Sequence, residues 1–160
     1  MQIWLEIISS FPERAGEYLI CPIHAATKRN YPLYQILEEP YSGDMVFHYL
    51  LKKASKKTSA IASYSFVEKS YYIKQGKDSL CDSPPPYRKV KLINNMKLNI
   101  PITYEMLLSK REKLEEIIKN YKKPRTPFDK NFRIKQLYLS RIPKGFLKIF
   151  TNICGQNFVI

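Results

Sequence analysis

Cysteine, glycine and tryptophan are scarce in this chain, and acidic side chains are heavily outnumbered. The three cysteines, Cys21, Cys81 and Cys154, stand far apart, without the paired spacing of a disulfide framework or a zinc knuckle. A reducing, cytoplasmic setting is the expectation that follows. No stretch approaches the roughly 20 apolar residues needed to span a bilayer, so no membrane partner is expected. Met1 runs directly into an amphipathic segment carrying Glu6, and a signal peptide is not expected either. There is no Gly-x-x-x-x-Gly-Lys-Ser/Thr loop, the backbone cradle that a P-loop motor uses to hold nucleotide phosphates. An enzyme would have to be built on Cys21-Pro22-Ile23-His24 with His48, as a metal pair with a third ligand or as a thiol with a base. Zinc sites use four convergent ligands and a nucleophilic cysteine needs a base held by a third group; neither set is legible here. No catalytic residue, no metal and no cofactor is expected.

What the chain does have is positive charge on a folding sequence. Lys and Arg number 27 against 14 Asp and Glu, a formal charge of +13 over 160 residues. An excess of that size most commonly displaces counterions from phosphates, so the expected partner is a nucleic acid. Hydrophobic residues make up 44%, too many for a solvated basic tail. Residues 1–160 are read as one domain, since the length suits a single core and leaves no room for a motor beside it. The charge is unevenly spread. Residues 1–51 carry three basic and six acidic groups, 52–97 eleven and three, 98–118 three and four, and 119–148 ten and one. Two separated basic tracts read as two walls of a groove, with two solvated loops as the plainer alternative.

The pattern of residues predicts mixed structure. Ile3–Ile8 is a short β-prone run ended by Ser9, Ser10 and Pro12. Residues 12–43 hold four prolines and are expected to be mostly loop, with a short helix near Leu33–Glu38. Gly43-Asp44 signals a turn into Met45–Leu50, and after the basic connection Lys52–Ser59 a second strand, Ala60–Val67, completes a hairpin. Gly76–Pro86 is loop, and a strand is expected over Tyr87–Ile93. Ser109-Lys110-Arg111-Glu112 has capping-box spacing, and Leu114, Ile117, Ile118 and Tyr121 follow on one helical face. A last strand over Gln136–Ile142 and a short helix over Pro143–Thr151 close the order. Without a run of βαβ units, the fold class expected is α+β.

At this point the residues carry a resemblance. Gly43-Asp44-Met45-Val46-Phe47-His48-Tyr49, then Ala60-Ile61-Ala62 and Val67, resembles the EVE branch of the PUA-like fold, where a Gly-Asp-x-Val-Phe-x-Tyr strand precedes a small-residue strand. Trp4 in the first strand, Tyr71-Tyr72, Pro101-Ile102 and Arg133-Ile134-Lys135-Gln136-x-Tyr138-Leu139 agree in order, so the match spans nearly the whole chain. The resemblance implies a curved mixed sheet or small β-barrel flanked by helices. Members of this EVE/YTH-like group include YTH readers of methyladenosine in RNA and the amino-terminal recognition domains of McrB-type restriction factors, which bind modified DNA. It therefore implies a non-enzymatic recognition domain, DNA preferred and RNA the alternative. A motor domain and a nuclease subunit of the same system are the further partners it implies. A protein-interaction module with a basic face is the competing class. The chain departs from the YTH pattern in having one tryptophan, so a cage here would be made mainly of tyrosine.

Reading a base inside a duplex requires extruding it, and stacking worth about 1–3 kcal/mol per base balances the unstacking cost. The base-pocket candidates are Ser9, Tyr31, Tyr49, Ser63, Ser65 and Tyr72, drawn from a wider set of tyrosines that includes Tyr34, Tyr64 and Tyr71. The resemblance marks Tyr31 and Tyr72 as cage walls and Ser9 as the polar group at the end of strand one, while Ser63 and Ser65 share one face of their strand. For phosphates it marks Lys130, Arg133 and Lys135. Lys56 and Lys57, with Lys52 and Lys53, form the opposite candidate wall; Arg88, Lys89 and Lys91 are left open between phosphate contact and plain surface. On this assignment loss of Tyr72 removes discrimination between modified and unmodified strands, and loss of Arg133 weakens both alike.

Overall fold

Side chains alternate across a pleated strand, so Ile3, Leu5 and Ile7 face one way and Trp4 and Glu6 the other. All six residues of Ile3–Ile8 are buried, which demands cover on both faces of the sheet. The structure, a computed structural model, describes residues 1–24, 34–121, 126–135 and 137–158. Among these the strands are β1 (Ile3–Ile8), β2 (Tyr18–Pro22), β3 (Met45–Leu50), β4 (Ala60–Val67), β5 (Tyr72–Lys74), β6 (Tyr87–Thr103) and β7 (Leu139–Ile142). The helices are α1 (Lys52–Ser55), α2 (Tyr104–Leu108), α3 (Arg111–Lys119) and α4 (Phe146–Cys154), with 3-10 turns at Pro12–Arg14 and Gln35–Glu38.

The strands join in the order β2-β6-β4-β3-β1-β7, and β5 adds to β6 off this path. β1 and β3 run parallel; every other pair is antiparallel. The result is an α+β mixed sheet. β6 is 17 residues long and pairs with β2 through its first residues and with β4 through its later ones. Register shifts between β4 and β6, and a φ of 55° at Asn94, bend it along its length. The bend carries β2 round toward the other end of the sheet. Tyr138, just ahead of β7, spans the remaining gap: its carbonyl accepts from the Ile7 N–H at 2.9 Å and its hydroxyl from the Ile20 N–H at 2.7 Å. The sheet is thereby curled into a half-barrel.

Each face of the curl has its own core. Leu5, Phe47, Tyr64 and Ile102 pack outward against Leu114, Phe146 and Phe150 of the helices. Trp4, Leu19, Val46, Val67, Val90 and Leu92 fill the inside. The Gly43-Asp44 turn serves this inner core. Gly43 has a φ of +85°, a conformation that favours glycine, and the Asp44 carboxylate accepts from the Gln2 N–H at 2.6 Å, the Trp4 indole at 3.0 Å and the Tyr41 N–H at 3.1 Å. Trp4 is fully buried and belongs to the core.

Several elements differ from expectation. Among the described residues of 12–43 a strand forms that was not expected, β2 at Tyr18–Pro22, its ladder supplied by β6 at a distance in sequence. The strand expected over Tyr87–Ile93 continues to Thr103; residues 94–100 are largely exposed and low in β-branched side chains, and it is the β4 partner that extends them. Ser109 and Glu112 form no capping box. Ser109 ends α2 and donates to the Met106 carbonyl at 2.7 Å, while Thr103 caps the start of α2 by accepting from the Met106 N–H at 3.3 Å. The apolar face of α3 does form, with Leu114 buried and Ile117 and Ile118 packed against the outer core. The helix expected near Leu33–Glu38 is a 3-10 turn from Gln35, with Leu33 outside the described residues; likewise the final strand starts at Leu139, and Gln136 lies outside. The last helix lies three residues later than expected, ending at Gly155 with a φ of +66°.

One buried carboxylate ties the loop before β6 to the sheet. Asp78 accepts from Lys89 at 2.7 Å, Lys74 at 2.8 Å and the Leu80 N–H at 3.0 Å. Burial alone would raise its pKa, but these donors hold the carboxyl well below the usual carboxylate range.

Two outcomes are expected in denaturant unfolding. Tyr138→Phe leaves the Ile20 N–H without its partner and costs about 1–3 kcal/mol with the fold retained. Asp78→Asn also destabilises the protein, in a pH-dependent way. Because the folded pKa is depressed, the carboxylate's contribution is in place above its ordinary pKa of about 3.9 and fades as pH falls toward the folded value, so the wild-type and Asp78→Asn curves converge in acid.

Candidate nucleic-acid interface

The parallel pairing of β1 with β3 sets Glu6 opposite His48, inside the curl. Both are fully buried, and each ionisable group needs a partner there. The Glu6 carboxylate accepts from His48 Nδ1 at 2.8 Å, which fixes the proton on that nitrogen, and the Ser65 hydroxyl meets Nε2 at 2.8 Å. On its other side Glu6 Oε1 faces Arg14 Nε at 3.6 Å, without closing a hydrogen bond. The Arg14 guanidinium lies over the Tyr138 ring, 5.2 Å from its centroid. Burial works against the charged guanidinium, but Tyr138 and Glu6 outweigh it and raise its pKa, so Arg14 stays cationic. Gly16 makes this turn possible: its φ is +81°, and a methyl group there would collide with Asn95, whose side-chain amide donates to the Ala15 carbonyl at 3.0 Å.

This polar chain ends at a cavity of about 530 Å³ where β1 and β3 stop. Ser9, Ser10 and Arg14 are its polar lining, Tyr34 and Tyr138 its phenol rings, and Ile7, Ile20, Leu51 and Leu137 its apolar surface; Cys21, Pro22, Cys81 and Lys53 complete it. Such a volume, mostly apolar with a few convergent donors, suits a small planar ligand. A second cleft, of about 930 Å³, opens beyond Leu51 and is lined by Lys52, Lys57, Thr58, Ser59, Tyr49, Tyr104, Glu105, Arg133 and Ile134. Lys57 and Arg133 come from the two separate basic tracts, which thus meet as opposite contributors to one groove.

The sequence candidates divide accordingly. Ser9 lines the first cavity. Tyr31 lies outside the described residues. Tyr72 is on β5, 43% exposed, and lines neither cavity, because β5 is attached to the start of β6 away from the end of β1. Tyr49 faces the outer core and reaches only the second cleft, since successive side chains alternate along β3 and His48 faces the inside; burial pushes its phenol up to about 12. Ser63 and Ser65 are buried in the curl, with Ser65 committed to His48, and neither lines the first cavity. Of the phosphate candidates Lys57 and Arg133 line the second cleft, whereas Lys56, Lys130 and Lys135 line neither. Arg88, Lys89 and Lys91 are taken up in ion pairs with Glu38, Asp78 and Glu68 at 2.6, 2.7 and 2.7 Å. Arg14, Ser10 and Tyr138 went unrecognised as pocket residues. The signal for Arg14 is a cation placed between a proline and a glycine directly after strand one.

The residues of the alternative enzyme reading do not assemble. His48 has both ring nitrogens engaged, and among the described residues no group of three or more His, Cys, Asp or Glu side chains converges. Cys21 donates to the Tyr34 carbonyl at 3.3 Å, and burial pushes its thiol up to about 12. Among the described residues no helix is long and apolar enough to cross a membrane.

No family model matches the sequence, and no curated protein does. Solved structures do match over nearly the whole chain. The amino-terminal domain of McrB from Staphylothermus marinus is 15% identical with a TM-score of 0.57, covering 94% of this chain and 93% of that one. Human THYN1, solved in complex with DNA containing 5-methylcytosine, is 15% identical with a TM-score of 0.57, covering 99% of this chain and 100% of that one. A hypothetical protein from Leishmania major gives 14% and 0.59, with 97% and 95% covered. The likeness at these identities is one of fold: the chain has the PUA-like fold that the motif order in its sequence resembles.

The state of Cys21 has a measurable consequence. With its pKa near 12 it is a thiol at neutral pH, so in the native protein it resists iodoacetamide at pH 8 and is labelled on unfolding, while the half-exposed Cys81 is alkylated first. Peptide mass spectrometry of timed samples checks this order.

Proposed function

We propose that this chain is a modified-base recognition domain that binds DNA and holds one flipped, methylated base in the cavity at the end of β1. The observation that carries the reading is the cavity itself: two phenol rings, the hydroxyls of Ser9 and Ser10 and a buried cation line it together with Lys53, and Lys52 and Lys57 line the neighbouring cleft. Tyr34 and Tyr138 offer stacking surface. Arg14, a donor-only group, suits the acceptors of a base edge, and the apolar surface formed by Ile7, Ile20 and Leu137 suits a methyl substituent. Lys53 on this rim and Lys52, Lys57 and Arg133 beside it have no carboxylate within 4.0 Å among the described residues, which leaves them available to phosphates. The THYN1 structure with 5-methylcytosine DNA, a protein of the same fold, supports the choice of DNA and of a modified base, and the McrB domain of that fold supports the choice of a restriction system.

In this reading the chain binds and does not catalyse. It acts as the specificity domain of a modification-dependent restriction system of the McrBC type, with nucleotide hydrolysis and strand cleavage supplied by other domains or chains. It turns over neither ATP nor GTP.

The test is fluorescence anisotropy on a panel of DNA and RNA strands and duplexes, each with one base methylated or not. The wild type is expected to prefer a methylated DNA strand. Tyr34→Ala removes one stacking partner and lowers affinity for that strand by about 5- to 150-fold, with little effect on the unmodified one. Lys53→Ala weakens both alike and flattens the salt dependence on single strands by about 0.7 in log–log slope. Tyr72→Ala leaves the preference unchanged. Equal binding of modified and unmodified strands throughout the panel would contradict the reading.

A further inference from the structure

The cleft beyond Leu51 is larger than the base cavity and is lined by the chemistry of a ligand site. Lys52, Lys57 and Arg133 bring three cations against the single carboxylate of Glu105, so its local balance is positive. Tyr104 is held in place from behind, its hydroxyl donating to the Phe132 carbonyl at 3.2 Å, and Tyr49 adds a second, neutral phenol. Cations for a phosphate, the partly exposed Tyr104 ring for a base and hydroxyls for a sugar or a base edge are together the recognition set of a nucleoside phosphate.

Its position relative to the base cavity narrows the source of that nucleotide. Leu51 lines both openings, Lys52 only this one and Lys53 only the first. These are three consecutive residues, spanning roughly 7 Å at most. Two openings so close, sharing one wall, lie within one step of a single nucleic-acid strand. We infer that this second cleft binds the nucleotide adjacent to the flipped base, so that the domain reads a two-nucleotide step. The inference rests on the base-cavity reading and assigns the neighbouring subsite, which that reading leaves open. It also accounts for the convergence of Lys57 and Arg133: the strand leaves the base cavity across a groove whose cations come from both basic tracts.

The test uses the intact chain and short methylated DNA strands in which the nucleotide on the 5′ or the 3′ side of the methylated base is replaced by an abasic unit that keeps the phosphate. On one side, and only one, this replacement is expected to weaken binding about tenfold, the loss of one stacked base. Thr58→Trp, at an exposed rim position, fills the cleft. It is expected to bring the unmodified-neighbour strand down to the same affinity and to abolish any further effect of the abasic unit, while the ratio of methylated to unmethylated binding persists. Lys57→Ala, which adds no bulk, gives a weaker loss in the same direction and guards against misfolding of the Trp variant. Indifference to abasic neighbours on both sides, with the methyl preference intact, overturns this proposal and leaves the base cavity standing. Absence of any methyl preference overturns both. Should a free nucleoside monophosphate shift the NMR signals of Ser59 and Arg133 while abasic neighbours have no effect, the cleft belongs to a free nucleotide and the strand proposal is overturned.

Discussion

A single phenol fastens the curl that the bend of β6 begins. An open sheet with β2 at one edge and β7 at the other would leave the Ile20 N–H facing nothing. The Tyr138 hydroxyl takes that donor, while its carbonyl continues the pairing alongside β1. Burial pushes the phenol well above its ordinary pKa, so the contact is made by a neutral hydroxyl over the whole physiological range. The curl it closes is what creates a concave end, and the same ring forms part of the cavity there. Architecture and site therefore share one side chain.

The inside of the curl divides into an apolar end and a polar end. Trp4, Val46 and Val67 pack at one; Glu6, His48, Ser65 and Arg14 run toward the other. Burying a carboxylate and a guanidinium costs free energy that hydrophobic side chains of similar volume would not. That cost is explicable if the chain's end serves a ligand, since Arg14 can present a donor only where something holds its charge. Outside, the cations divide in the same spirit. Arg88, Lys89 and Lys91 pair with carboxylates that fasten the sheet, whereas Lys52, Lys53, Lys57 and Arg133 stand at the two openings.

Fold class was readable because motif order is a property of the chain: the Gly43-Asp44 turn, the hairpin and the apolar face of α3 each follow from local chemistry. β2 was not, because a short run among prolines becomes a strand only when β6 offers it a ladder. The lining of the two cavities was legible in part. Ser9 sits where a strand end must sit, and Lys57 and Arg133 follow from charge distribution. The serines on β4 and the tyrosine on β3 lie away from the first cavity, and the sequence does not show it: one face of a strand is polar for two different reasons, to meet a ligand or to satisfy a buried histidine, and a tyrosine also serves a core. Arg14 was overlooked because a cation in a turn looks like surface until Glu6, 8 residues earlier, is seen to be inside.

The anchoring of Trp4 has a practical side. This chain's sole indole is sealed from solvent, hydrogen-bonded to Asp44 and capped by Arg141 at 4.8 Å from its ring. Its emission reports the integrity of the interior and nothing at the rim, so intrinsic fluorescence becomes a clean optical gauge of melting even in samples crowded with oligonucleotide.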